Sequence, residues 1–201
     1  VTPIDPLQRV LLLREAAAFD AFESLKLDRS LVRFFTKSDA LFKFYEELAA
    51  EGVSFDTLAN ADAYAEFGTH LEILETLLGN YEKLLEERGL TDKAFIPKSY
   101  RINSGFIKAY ERVEIHLEGY LSHFELGLLE EVAKETELII HYHTSKFNAK
   151  MQERFKERDL ELPNNAFTTF SLSQKKLLHA EKNTATVDAK VYAVEEKEEQ
   201  I

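Results

Sequence analysis

Two groups of residues in this chain are of types and spacings that could do chemistry. In ELIIHYH, His141 and His143 stand two apart, so on a strand both imidazoles project to one side. Two same-side histidines are half of a metal site, but no third ligand follows at a recognisable spacing. Partly buried or strand-end histidines are the preferred reading of that pair, and His70, His116, His123 and His179 are isolated along the chain. The second group lies in VEIHLEGYLSHF, Val113 to Phe124. An apolar run there reaches an acid, Glu118, then Gly119 and the aromatic Tyr120. Many nucleotide hydrolases carry acidic residues at the end of such a strand.

Basic residues form two further candidates, both for phosphate contact. Lys146, Lys150, Arg154 and Arg158 are spaced by four and share one face of a predicted helix, but Glu153 and Glu157 flank them. A solvated face is favoured there. Phe147, Met151 and Phe155 occupy another face, expected in a core. Lys98, Arg101, Lys108 and Arg112 form the second region, with only Glu111 against them. The net charge of −11, from 25 Lys and Arg against 36 Asp and Glu, speaks against a general phosphate-binding surface.

Other chemistry is missing from the sequence. No GxxxxGK[ST] or GxGxxG loop is present to wrap phosphates with backbone N–H groups, and there is no GxSxG elbow or HExxH pair. With no cysteine, a disulfide framework, a thiolate metal site and a thiol nucleophile are all excluded. No apolar run approaches the ~20 residues that cross a membrane, and a cytoplasmic location is expected.

The elements that must position these residues fall into two halves. Residues 6 to 27 read as a helix, with Asp5 as cap and Pro6 in the first turn. Two short helices, Ser30 to Phe35 and Ser38 to Ala50, are predicted next, the second ended by Gly52. Asp62 to Arg88 is the clearest helix. Tyr64, Phe67, Leu71, Leu74, Leu78, Tyr81 and Leu85 recur at alternating intervals of three and four, with Asp62 as cap and Gly89 as stop. The stripe is expected to pack on helices from residues 6 to 50 rather than to form a coiled-coil dimer.

After Pro97 the pattern changes to strand, helix, strand. Val113 to Leu117 and Glu137 to His143 are β-rich, and Phe124 to Ala133 is helical. That order predicts a parallel pair with a right-handed crossover. A helix over Ser145 to Arg158, an extended Ala166 to Leu172, a short helix over Ser173 to Ala180 and a last strand over Val187 to Val194 complete the reading. The expected division is a helical subdomain over 1–97, an α/β part over 98–186 and the opening of another lobe over 187–201. So small a parallel sheet, a chain opening on Val1 and a single Met at Met151 suggest a segment of a longer protein.

With these elements in place, Tyr110 to Thr144, YERVEIHLEGYLSHFELGLLEEVAKETELIIHYHT, resembles the inactive helicase-like region of AddB-type subunits. These are the non-motor partners in bacterial helicase–nuclease complexes that process double-strand DNA breaks. In that family a strand ends in Asp-Gly-Phe before a helix; here the triplet is Glu118-Gly119-Tyr120. The long helix followed by Gly89-Leu90-Thr91-Asp92 is similar to the family's helical insertion, and VYAVEEKEEQI to the start of its second lobe. The resemblance implies an α/β fold with a large all-α insertion, a partial parallel-sheet lobe of P-loop type lacking its phosphate loop. Glu118 and Gly119 then hold a degenerate Walker B position. In active relatives the Asp there holds Mg²⁺ through water and a Glu activates the attacking water; Gly119 offers no base. The plain alternative is a strand-to-helix turn in which Gly119 relieves the backbone. Both readings imply no catalysis here, and no metal or cofactor is expected in this segment.

As partners the resemblance implies an AddA-type motor subunit and DNA, with no membrane. The function expected is a non-catalytic scaffold in recombinational DNA repair. A helical protein–protein interaction domain unrelated to helicases is the alternative, and a small α/β enzyme is a weaker third because no nucleophile–base set can be named from the sequence.

Overall fold

A computed structural model describes residues 2–61 and 67–184. The fold is mixed α/β and forms two compact units. Unit 1 holds residues 1–111 and 121–136; unit 2 holds 112–120 and the chain from 137. The helix between the two parallel strands therefore counts with the helical unit, a different division from the expected boundary at 97. The predicted strand over Val187 to Val194 and the Asp62 cap lie outside the described residues.

Unit 1 begins with β1 (Thr2–Pro3), which pairs in parallel with β2 (Leu90–Thr91). Helix α1 (Pro6–Ala16) has its cap at Asp5, whose carboxylate accepts from the N–H groups of Leu7 and Gln8. It stops eleven residues before the predicted end. The chain turns at Ala17 and continues as a 3-10 helix, Asp20–Leu25. Nothing in AAAF breaks a helix by itself. The break lets Phe22 reach the core, where it is fully buried against Phe34 and Phe19.

Where two short helices are expected, a single α2 (Leu31–Glu51) runs to Gly52, which takes the left-handed conformation at φ 65°. Thr36 and Ser38 do not interrupt it. Their hydroxyls donate to carbonyls of the preceding turn, at Arg33 and Phe35. Helices α3 (Phe55–Ala59) and α4 (Gly68–Glu87) follow. The stripe on α4 faces the unit's own core. Leu71, Tyr81 and Leu85 are buried, and Leu74 and Leu78 pack on the same cluster; Phe67, at the helix start, stays exposed, and Tyr64 lies outside the described residues. After a 3-10 helix, Lys93–Lys98, come α5 (Ser104–Ile107) and α6 (His123–Glu135), the latter packed on α2 and α5.

A buried ion pair ties the start of unit 1 to β2 and the 3-10 helix after it. Asp92 has no exposed side-chain surface and accepts from Arg9, from Tyr81 Oη at 2.8 Å and from the Ala94 N–H at 2.9 Å. Arg9 also reaches Glu46 and lies 3.7 Å over the Phe42 ring. Burial alone lowers the affinity of a guanidinium for its proton. The hydrogen bonds to Asp92 and Glu46 outweigh that cost, and the Arg9 pKa is raised.

Unit 2 is one four-stranded sheet of order β3 (Arg112–Leu117), β4 (Glu137–His143), β5 (Ala166–Ser171) and β6 (Lys176–Lys182). β3 and β4 are parallel, as predicted; the other two pairings are antiparallel, so the sheet is mixed. β6 replaces the predicted helix over Ser173 to Ala180. A tight turn with Lys175 at φ 49° folds the chain back on β5, and cross-strand pairing decides a segment with no strong period of its own. Helix α7 (Ala149–Lys156), preceded by a 3-10 turn at Lys146–Asn148, supplies Met151 and Phe155 to the inner face. Phe147, expected beside them, is 88% exposed because the 3-10 turn rotates it off the apolar stripe.

Candidate functional site

The alternation of β4 and β5 sorts their side chains into two faces. Leu138, Ile140, Tyr142, Ala166, Thr168 and Phe170 are buried, and Phe155 sits edge-on to both Tyr142 and Phe170. The opposite face carries polar and aromatic groups. Register places His116 of β3 beside His141 of β4, His141 beside Thr169 of β5, and Thr169 beside His179 of β6. One pleat further along, His143 stands beside Phe167 and Phe167 beside Glu181. Four histidines thus share one face, although the sequence reading joined only His141 and His143 and took His116 and His179 as isolated.

The rings stack across the strands. His116 and His141 lie 4.4 Å apart at 13°, and His143 and Phe167 lie 4.5 Å apart at 19°. His141 is also held at both nitrogens. Its Nε2 is 3.3 Å from Glu114 Oε2 and its Nδ1 is 3.1 Å from Thr169 Oγ1. A carboxylate only accepts, so Nε2 carries the proton, and in the neutral ring Nδ1 accepts from the Thr169 hydroxyl. Asn183 Nδ2 donates to His143 Nε2 over 2.9 Å. The hydrogen bond from His141 holds the Glu114 carboxyl below its ordinary pKa. Arg112 bonds Glu137 at 2.7 Å, which raises the Arg112 pKa, and approaches Glu114 at 3.5 Å.

Two of the four imidazoles therefore have ring nitrogens already engaged. No group of three or more His, Asp or Glu among the described residues is arranged to hold a metal ion. The sequence Glu114, His141, Thr169 is carboxylate, imidazole, hydroxyl, the order of a nucleophile-activating relay. Acyl transfer also needs free N–H donors beside the nucleophile. β5 is paired on both sides, with a register irregularity against β6 between Thr169 and Phe170. The relay orients the His141 ring and ties three strands together.

Glu118 stands just past β3 and, with the four histidines and Glu181, lines an open hollow of about 400 Å³ on this face. Gly119 follows. Its backbone is not in the left-handed region and a Cβ there would meet nothing within 4 Å. Backbone relief, the plain reading of Gly119, is thus corrected: the site tolerates a side chain and simply lacks one. Within unit 1, Ser122 begins α6 through a reciprocal capping box with Glu125.

The basic residues are less available than their spacing implied. Lys98 pairs with Glu82, Lys108 with Glu135 at 2.8 Å and Arg112 with Glu137. Arg154 is buried, with its guanidinium 4.3 Å over the Tyr120 ring, and Arg158 is half-buried, so the stripe on α7 is not a uniform solvated face. Lys146, Lys150 and Arg101 remain exposed. No family model, no curated protein and no solved structure matches this chain.

Proposed function

We propose that this chain is a non-catalytic, helicase-like scaffold segment of an AddB-type subunit in a complex that processes DNA double-strand breaks. The observation that carries this reading is the parallel β3–β4 pair joined through the capped helix α6, with Glu118-Gly119-Tyr120 at the end of the first strand. On this reading Glu118 and Gly119 stand where a nucleotide hydrolase keeps its strand-end acids, and Gly119 offers no general base. The lack of any phosphate-wrapping loop in the sequence agrees with it. A dimer through the α4 stripe, the alternative, is disfavoured because the unit's own core covers that stripe.

In this role the segment hydrolyses no ATP, and its DNA contacts are weak and blind to sequence. Only Lys146, Lys150 and Arg101 of the eight basic candidates are exposed and outside the ion pairs described above. Neutralising a few phosphates gives binding no tighter than about 10⁻⁴–10⁻⁶ M at physiological salt. An AddA-type motor subunit would supply the translocation.

The test is genetic. Deleting the gene for the protein that carries this segment should sensitise cells to double-strand breaks. Restoring it with Glu118→Gln should give full resistance, since no chemistry is lost. Unchanged resistance in the deletion strain, or failure of the Glu118→Gln protein to restore it, would overturn the scaffold reading.

A further inference from the structure

Unit 1 contains a second cavity, of about 350 Å³, that the scaffold role does not use. Tyr45 and Phe55 come to it from α2 and α3, Leu78 and Gly79 from α4, and Phe95 and Lys98 from the 3-10 helix that follows β2. Its size is that of a small-ligand site and its walls are mainly apolar, with a few charged groups. Gly79 borders it, and a Cβ at that position would meet nothing within 4 Å, so a larger side chain has room there.

The charged groups indicate what chemistry fits. Lys98 holds its ammonium 5.1 Å over the Phe95 ring and 3.4 Å from Glu82. A second carboxylate at the cavity, Glu75, has no hydrogen bond or ion pair among the described residues. The lining therefore offers two carboxylates and three aromatic rings to one flexible lysine. That combination attracts a cation on an apolar stem: the carboxylates supply charge, and the ring faces and aliphatic walls take the stem. Lys98 is held only loosely, at the long end of ion-pair distance with its side chain 59% exposed. A screened pair of this kind is easily replaced.

We infer that this cavity binds an organic cation with an apolar body, an alkyl- or arylalkyl-ammonium or guanidinium group, and that Lys98 is a built-in occupant which the ligand displaces. The carboxylate of Glu82 passes from Lys98 to the ligand, Glu75 gains its first partner, and the apolar stem packs between Phe55, Phe95 and Leu78. The freed Lys98 swings into solvent. A free amine and a basic side chain of another protein present the same chemistry.

Calorimetric titration of the whole chain with 2-phenylethylammonium at neutral pH tests this, with 2-phenylethanol as the uncharged match. The amine should bind more tightly than the alcohol. Lys98→Ala, on an exposed turn, should strengthen amine binding about two- to fivefold by removing the competitor, and Glu75→Gln should weaken it by a similar factor. Gly79→Leu should abolish binding while raising the unfolding temperature, since it fills the cavity and improves the helix. Acetyl-Phe-Arg-amide separates the two sources: competition with the amine marks a site for protein side chains, and failure to compete marks one for free amines. No heat at roughly 10 mM amine, equal binding of the alcohol, or weaker binding by Lys98→Ala would overturn the inference.

Discussion

The two units solve the problem of polar groups in opposite ways. The helical unit buries its most important carboxylate. Asp92 sits inside a cluster of aromatic and aliphatic side chains and is satisfied by Arg9, Tyr81 and a backbone N–H. The sheet unit buries Arg154 against the Tyr120 ring but has no buried carboxylate among its described residues; Glu114, His141 and Thr169 are linked on its open face, in water's reach. Its outer strand β6 is exposed along its whole length. The lesson is that the Asp92 carboxylate in unit 1 is part of the fold, whereas the acids and histidines on the open face of unit 2 decorate a fold already made by its inner face. Tests of that contrast should give large effects in the first unit and small ones in the second.

The largest effect is expected at Asp92. Asp92→Ala leaves Arg9 partly buried beside Glu46 alone and removes an acceptor from Tyr81 and Ala94. The loss should be about 3–5 kcal/mol, read by urea unfolding, with hydrogen exchange rising in α1 and α4 before the sheet. A loss below about 1 kcal/mol would place Asp92 with ordinary surface charges. Close behind is Leu77→Ala, at a fully buried position of α4, expected to cost about 2–5 kcal/mol. Its counterpart Leu178→Ala, 47% exposed on β6, should stay within about 0.5 kcal/mol of the parent. Equal losses from the two leucines would remove the contrast.

A smaller effect is expected at Tyr142. Its hydroxyl is buried without a hydrogen-bond partner among the described residues, and burial pushes its pKa up to about 12. Tyr142→Phe removes a desolvated polar group and should be neutral or stabilising by up to about 1 kcal/mol. A clear destabilisation would mean that the hydroxyl is satisfied in solution.

The smallest effect is the pH response of the open face. The Glu114 carboxyl has a depressed pKa in the folded chain, so its contribution is present above the unfolded-state value and lost as pH falls through the lower folded value. In a carbon-detected NMR titration Glu114 should titrate below the ordinary glutamate value. His141→Gln should move it back up, with little change in unfolding temperature at neutral pH. A titration unaffected by His141→Gln would break the link between the two residues.

Much of the local structure was legible in the sequence because it rests on neighbours within a few residues. The Asp5 cap, the stops at Gly52 and Gly89, the inward stripe on α4 and the β3–α6–β4 order follow from side-chain period and backbone preference. The same rules failed where distant groups decided. Ala16 to Phe19 breaks although its residues favour helix, because Phe22 gains more from the core. Ser173 to Ala180 became a turn and a strand because β5 offered an unpaired edge. The two basic regions could be named as candidates for phosphate contact because spacing along the chain is visible in a sequence. The acids that pair with Lys98, Lys108 and Arg112, namely Glu82, Glu135 and Glu137, lie 16 to 27 positions away and are not.

The histidine face shows the same division most sharply. By itself the sequence determined that His141 and His143 point the same way, since a strand alternates with period two. It could not join His116, Thr169 and His179 to them, because register is set by the packing of the inner face across three pairings. A slip of one residue would send every one of those side chains to the other side. The absence of a phosphate loop and of any thiol was fixed by composition and spacing alone. Which acids are buried, which cations are paired and where a cavity opens beside Gly79 were decided only when the chain folded.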